Sequence, residues 1–237
     1  MQILNEIEFL SPEIIIPHEE PSLIKLNKLI SKIENDGFIN HPILCTKLKD
    51  KIIILDGTHR FYALKHLNVK FIPIQLVRYD KRKVRLSSWC WQFKIDDKFL
   101  TIIRNFDGNF IREVRRPRNY EILIKSNESF ILKFKNRMEF LKFLGTLNNF
   151  DYERVLREQL IEGIVFPTLN HKFFLFLANN GYRIPSGITR FKVQHRILFL
   201  KVPLNVLNNH DKILEFKNQI QNRKYRVYEE SVVIFEE

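Results

Sequence analysis

Ile52-Ile53-Ile54-Leu55-Asp56-Gly57-Thr58-His59-Arg60-Phe61 is the stretch on which the fold turns. Four consecutive aliphatic residues, three of them β-branched, read as a buried strand, and a helix follows from His59 to about Leu67. Asp56-Gly57-Thr58 therefore lies where a strand hands over to a helix. Such a junction presents backbone N–H groups with no intrahelical acceptor and the positive end of the helix dipole, which suits a phosphate. The side chains fit the same use. An aspartate can hold a divalent cation, a glycine lets backbone approach a ligand closely, and an arginine offers a planar bidentate fork. A plainer reading stays open on spacing alone, in which Asp56 caps the helix while His59 and Arg60 face solvent.

Working outward, Ile14–Ile16 is a short strand ended by Pro17, and it delivers His18-Glu19-Glu20 to its end. Leu23, Leu26, Leu29, Ile30 and Ile33 recur at the spacing of one helical face, with Ser22 at the N-cap and Gly37 past the C-terminus. Pro42–Leu48 is a strand joined to Ile52–Leu55 through the polar turn Lys49-Asp50-Lys51, and Phe71–Val77 is a further strand. From Arg78 a charged connector leads to Ser87-Ser88-Trp89-Cys90-Trp91, so a domain boundary is expected between residues 1–80 and 81–237. In the second part we expect a hairpin of Tyr120–Lys125 and Phe130–Phe134, a helix from about Asn136 to Leu147, and a strand at Ile197–Val202. A helix from about Asn205 to Gln221 and a strand at Tyr225–Ile234 complete the reading. The expected class is α+β, the second domain being a mixed α/β one.

Composition narrows the function. With 45% hydrophobic residues, 21 of the 237 being Phe, the chain has apolar surface enough to offset its conformational entropy. No apolar run approaches the roughly 18 residues of a membrane span, and Met1–Glu8 carries acids where a signal peptide starts basic, so a cytoplasmic protein is expected. Two cysteines, Cys45 and Cys90, are too few for a disulfide framework or a thiol metal site. The net charge of +12 suits either a nucleic-acid surface or a site for a small polyanion such as a nucleotide. The basic clusters Lys81-Arg82-Lys83-Arg85 and Arg112 to Arg118 also read as solvated loops. A third candidate segment is Pro185-Ser186-Gly187-Ile188-Thr189-Arg190-Phe191, small residues followed by two phosphate-type donors, which equally reads as a plain turn.

Residues 13–77 resemble the ParB-like N-terminal domain shared by partition proteins, sulfiredoxin and a small group of free L-serine kinases. The likeness to the ATP-dependent kinase of staphyloferrin B biosynthesis goes further. It includes His18-Glu19, Phe38-Ile39-Asn40-His41-Pro42-Ile43-Leu44, the Asp56 to Arg60 box, Trp89, Pro185 to Phe191 and Val202-Pro203-Leu204, while residues 92–165 carry no match. Sulfiredoxin needs a cysteine where this chain has Thr58. Partition proteins follow the domain with a helix-turn-helix, which the pattern after Val77 does not suggest.

The resemblance implies a kinase of free L-serine making O-phospho-L-serine, as in siderophore biosynthesis, with Mg²⁺ and with ATP or ADP as donor, the Pro185–Phe191 loop being nearer the ATP-using relative. It makes Glu19 the base that takes the serine proton, with Asp56 as metal ligand or second acid and His59 beside them as catalytic. Gly57, Thr58, His59, Arg60, Ser186, Gly187, Thr189 and Arg190 are the implied nucleotide and phosphate contacts. His18, His41 and Trp89 are placed on the serine side. The Asp56 box and the Pro185–Phe191 loop are expected to face one cleft, and neither a specific nucleic acid nor a membrane is expected as partner. The rival is a nucleotide-dependent ParB-like DNA-binding regulator, and a third reading is a kinase of another small hydroxyl compound.

Overall fold

The computed structural model describes residues 3–80, 84–106, 109–112, 115–148 and 150–224. The chain separates into two compact units, each assembled from distant segments. The first takes residues up to Ile16, Asn27–Val84 and the chain from Val193 onward; the second takes Pro17–Leu26 and Arg85–Lys192. As expected, the class is α+β.

The first unit is built on a five-stranded sheet in the order Ile7–Leu10, Ile72–Val77, Ile43–Leu48, Lys51–Asp56, Ile15–Ile16. Ile43–Leu48 and Lys51–Asp56 form the anticipated antiparallel hairpin, turning through Lys49 in the left-handed region at φ 54°. Their aliphatic side chains close the core. Ile43, Ile54, Ile72 and Ile74 are fully buried with Ala63 and Leu64 of the helix Thr58–His66. The register shifts at one point: Leu44 faces Asp56 and Cys45 faces Ile54, so Leu55 is an extra residue. Such a bulge twists the strand end and re-aims its side chains, here at Asp56. The helix Leu23–Asp36 ends as expected at Gly37, whose φ of 72° lets its N–H turn back to the Ile33 carbonyl at 2.9 Å.

Two expectations for the later chain need correction. Ile197–Val202 is not a strand; only Val202–Pro203 pairs, with Phe38–Ile39. The preceding backbone donors go elsewhere, Ile197 N–H to Gln75 Oε1, Phe199 N–H to His41 Nδ1 and Lys201 N–H to the Asn40 carbonyl, and Phe199 and Lys201 sit at positive φ. The helix expected from Asn205 begins at His210, because the Asn209 side chain accepts from Asp211 N–H and Lys212 N–H and fixes the N-terminus there. The expected strand Tyr225–Ile234 lies outside the described residues.

The second unit carries a six-stranded sheet in the order Asn109–Ile111, Phe130–Lys133, Glu121–Lys125, Gly163–Val165, Cys90–Gln92, Glu153–Val155. The expected hairpin and the helix Arg137–Thr146 are present, the latter capped by Asn136. Helices Asp97–Arg104 and His171–Asn180 had no counterpart in the sequence reading. The second, HKFFLFLANN, mixes apolar and polar residues without a clean 3.6-residue period. Trp91 is wholly buried at the centre of a core with Phe99, Phe140, Phe143 and Ile164. Gly163, at φ 137°, lies so close to the Trp91 carbonyl that a Cβ would stand 2.0 Å from its oxygen, so no other residue fits.

Candidate active site

At the Asp56 end, the strand runs into Gly57 at φ 105°, the N-cap of the helix Thr58–His66. Helices Asp97–Arg104, Arg137–Thr146, His171–Asn180 and His210–Gln221 have an Asp or Asn side chain accepting from their first-turn N–H groups. Glycine supplies no such acceptor, and the cap has no side-chain hydrogen bond. That turn, with Thr58 buried and His59 half-buried, presents the positive end of the helix dipole next to the Asp56 carboxylate, the last residue of the strand before Gly57.

Arg60 points inward. Its Nη1 donates to the carbonyls of His41 and Pro42, and its Nη2 donates to Asp56 Oδ2 at 2.8 Å. The guanidinium lies over Gly57, where a Cβ would stand 2.9 Å from Nη2. The same Asp56 oxygen meets a second cation, Arg196 Nη1, at 3.4 Å. Sequence reading missed Arg196, since nothing in Gln194-His195-Arg196 marks it. His41 Nδ1 accepts from the Phe199 N–H at 2.9 Å, with the two rings edge to face, so the proton of the neutral ring is on Nε2.

In the second unit, Glu19 is buried to 7% exposure. A two-residue parallel ladder places it: Glu19 pairs with Ile184 and Glu20 with Pro185, with Ile184 N–H donating to the His18 carbonyl and Ser186 N–H to the Glu20 carbonyl. Successive side chains of an extended segment point opposite ways. Glu20 accordingly accepts from Asn148 Nδ2, while Glu19 Oε1 accepts both the hydroxyl of Thr189, at 2.6 Å, and its backbone N–H, at 3.0 Å. The Thr189 hydroxyl has one proton, given to the carboxylate, so the His18 Nε2 at 3.0 Å from Oγ1 must be the donor of that bond. His18 is itself fully buried, edge-on to Phe174 and Phe191. His18, Thr189 and Glu19 thus form one chain of hydrogen bonds that holds the carboxylate in a single rotamer.

The loop leading to Thr189 is held from behind. Tyr152 Oη donates to the Ser186 carbonyl, Trp91 Nε1 donates to the Gly187 carbonyl at 2.8 Å, and the two rings stack at 3.6 Å. Gly187, at φ 84°, has no room for a Cβ, which would stand 2.8 Å from the Tyr152 oxygen. Burial pushes the Tyr152 phenol up to about 12, so it remains a donor at neutral pH. Lys25 Nζ sits 3.8 Å over the Tyr152 ring centre and donates to the Tyr152 carbonyl. Thr189–Lys192 pairs with Arg85–Ser88, and the Arg190 guanidinium lies 4.3 Å over the Trp89 ring. The sequence reading gave Trp91, Tyr152 and Lys25 no part in the site, Tyr152 because it lies in the unmatched stretch 92–165.

Of the residues singled out from sequence, the structure brings His18, Glu19, Trp89, Ser186, Gly187, Thr189 and Arg190 into the second unit, and His41, Asp56, Gly57, Thr58, His59 and Arg60 into the first. Among the described residues no group of three or more His, Cys, Asp or Glu side chains could hold a metal by itself. No helix among them is long and apolar enough to cross a membrane.

No family model matches the chain. It is 25% identical, over 93% of its own length and 93% of the relative's, to the ATP-dependent L-serine kinase SbnI of Staphylococcus aureus. A structure of SbnI with a C-terminal truncation superposes with a TM-score of 0.75 at 22% identity, covering 93% of this chain and 98% of that one. A free serine kinase variant in complex with AMP superposes with a TM-score of 0.70 at 18% identity, covering 85% and 94%. The ADP-dependent L-serine kinase SerK of Thermococcus kodakarensis is 30% identical over 82 residues, 34% of each chain. In fold over most of its length, and in sequence over 93% of it in the comparison with SbnI, the chain resembles free L-serine kinases.

Proposed function

We propose that this protein phosphorylates the hydroxyl of free L-serine, giving O-phospho-L-serine at the expense of a nucleotide. The observation that carries the reading is Glu19, a buried carboxylate fixed by Thr189 at the position where the resemblance puts the catalytic base. Phosphoryl transfer asks little covalent chemistry of a protein; it needs an oriented nucleophile and a place for phosphate charge. The second unit supplies the first, with Glu19 taking the serine proton as the oxygen attacks phosphorus. The first supplies the other, with the start of the helix Thr58–His66, His59 in its first turn included, receiving phosphate oxygens.

Asp56 fits a Mg²⁺ that keeps most of its ligands from water and phosphates, as this ion does with one or two carboxylates, and the ion would neutralise charge on the transferred group. Arg190, stacked on Trp89, is assigned to the anionic substrate groups. ATP is the proposed donor, because the likeness to the ATP-dependent relative spans 93% of the chain and that to the ADP-dependent one 34%.

The test is incubation with Mg²⁺, either ATP or ADP, and a panel of free amino acids and small hydroxy acids, read by mass spectrometry. O-phosphoserine formed faster from ATP is the expected result. Phosphorylation of another acceptor would move the assignment to that compound. Salt-sensitive binding of DNA without serine turnover would favour the regulatory reading, which the charge of +12 supports.

A further inference from the structure

We infer that Arg196, and not Arg60, is the arginine of the first unit that grips the nucleotide's phosphates, leaving Asp56 to do so. The inference rests on nucleotide binding as proposed above and extends it to a residue that neither the motif nor the resemblance singled out.

Both arginines touch the same carboxylate oxygen, and they are held very differently. Arg60 is exposed to 19% and gives hydrogen bonds to two carbonyls and to Asp56 Oδ2. Turning it toward a ligand would strand the His41 and Pro42 carbonyls and remove the guanidinium packed over Gly57. Arg196 is exposed to 39%, and its ion pair with Asp56 is the only one it makes among the described residues. At 3.4 Å that contact is longer than the 2.7–2.9 Å or so of a good charge-assisted hydrogen bond. A ligand or cation arriving at Asp56 displaces the more weakly held partner.

The backbone around Arg196 is, by contrast, fixed. Gln75, exposed to 2%, donates from Nε2 to the His195 carbonyl at 3.1 Å and accepts the Ile197 N–H on Oε1 at 3.0 Å. Its remaining amide proton goes to Glu6 Oε2 at 2.8 Å, so the amide is satisfied and cannot rotate without loss. One buried side chain therefore clamps the peptide on both sides of Arg196. A long cationic arm on a rigid mount, weakly tethered to the residue that precedes the N-cap of the helix Thr58–His66, is suited to close on β- and γ-phosphates as a bidentate fork.

The experiment is calorimetric titration of wild type, Arg196→Met and Arg196→Lys with ATP, ADP, AMP and adenosine, alongside thermal melts of the unliganded proteins. Arg196→Met is expected to melt like wild type, to lose about 10- to 100-fold in affinity for ATP and ADP, and to bind adenosine unchanged, since hydrogen bonds to charged groups are worth factors of this order. Arg196→Lys should recover part of the loss, keeping charge without the fork. Unchanged ATP affinity in Arg196→Met, or an equal loss for adenosine, overturns the inference while leaving the kinase reading intact. Failure of the wild type to bind any nucleotide overturns both.

Discussion

Glu19 shows how much one side chain depends on its neighbours. A carboxylate exposed to 7% pays for its desolvation only if its lone pairs are used, and Thr189 answers with two donors on one oxygen. Glu19→Gln keeps the shape and loses the basicity, so serine phosphorylation should fall by about 10²–10⁴-fold with nucleotide affinity nearly unchanged. A direct turnover assay with parallel nucleotide titration checks this; near-normal turnover would pass the role of base to Asp56. Thr189→Val removes the hydroxyl from the chain His18–Thr189–Glu19 while keeping the backbone donor. It should lower kcat more than it raises KM for serine, and Thr189→Ser should restore most of the rate. Asp56→Asn should behave otherwise, weakening the nucleotide complex together with turnover.

Single elements carry their own tests. Gly57 and Gly37 both sit at positive φ, but a Cβ at Gly37 meets nothing, whereas at Gly57 it meets the Arg60 guanidinium. Each alanine variant should lose about 1–3 kcal/mol of stability through backbone strain. Only Gly57→Ala should also lose nucleotide affinity, because the displaced guanidinium lets go of Asp56. Urea melts and nucleotide titrations of the pair separate strain from function. In the second unit, Glu121, buried in its strand, takes two hydrogen bonds from Arg115, at 2.7 and 3.1 Å, and one from the Arg118 N–H. The Arg115 bonds hold its carboxyl below the usual range against the opposing effect of burial. A depressed folded value means the stabilisation is complete above the unfolded pKa of about 4.3 and is lost as the pH falls below it through the folded value. Glu121→Gln should therefore cost about 1–3 kcal/mol at pH 7, and the gap to wild type should shrink under acid, as urea melts across that range would show.

For the whole molecule, the main consequence comes from the interrupted units. The first sheet is complete by Val77, yet Gln75 relies on His195 and Ile197 for its amide, and Phe38–Ile39 pairs with Val202–Pro203. A fragment ending at Val84 buries its sheet incompletely and leaves Gln75, a core polar group, short of partners. It should unfold without a sharp transition, while the full chain melts cooperatively; circular dichroism of the two decides it. The charge of +12 acts at this scale as well. In the described part of the basic stretch 112–118, Arg115 is already spent on Glu121. Duplex DNA binding is expected to be non-specific, with a dissociation constant of about 10⁻⁴–10⁻⁶ M at physiological salt, and to weaken steeply as salt rises in an anisotropy titration.

The amino-acid sequence alone determined the helices Leu23–Asp36 and Thr58–His66 and the strands Ile43–Leu48, Lys51–Asp56 and Ile72–Val77, but not the edge strand Ile7–Leu10. Ile52–Leu55 could only be a buried strand, Gly57 had to turn it, and the spacing Leu23 to Ile33 made a helix that Gly37 ends, because periodicity and glycine's freedom at positive φ act within a few residues. The same locality made Asp56 a candidate, while Glu19 became one only through the family resemblance, and neither showed what holds it. Tertiary structure decided the rest. It carried Ile184–Pro185 onto Glu19–Glu20, brought the Thr189 hydroxyl to a glutamate 170 residues earlier, turned Arg60 onto its own unit's carbonyls and laid Arg196 against Asp56. It also dissolved the expected strand at Ile197–Val202, whose β-branched and aliphatic pattern was outweighed by side-chain acceptors on Gln75 and His41. Hydrogen-bond partners far apart in the chain leave no period to read, and they are what fixes Glu19 within the second unit and Asp56 within the first.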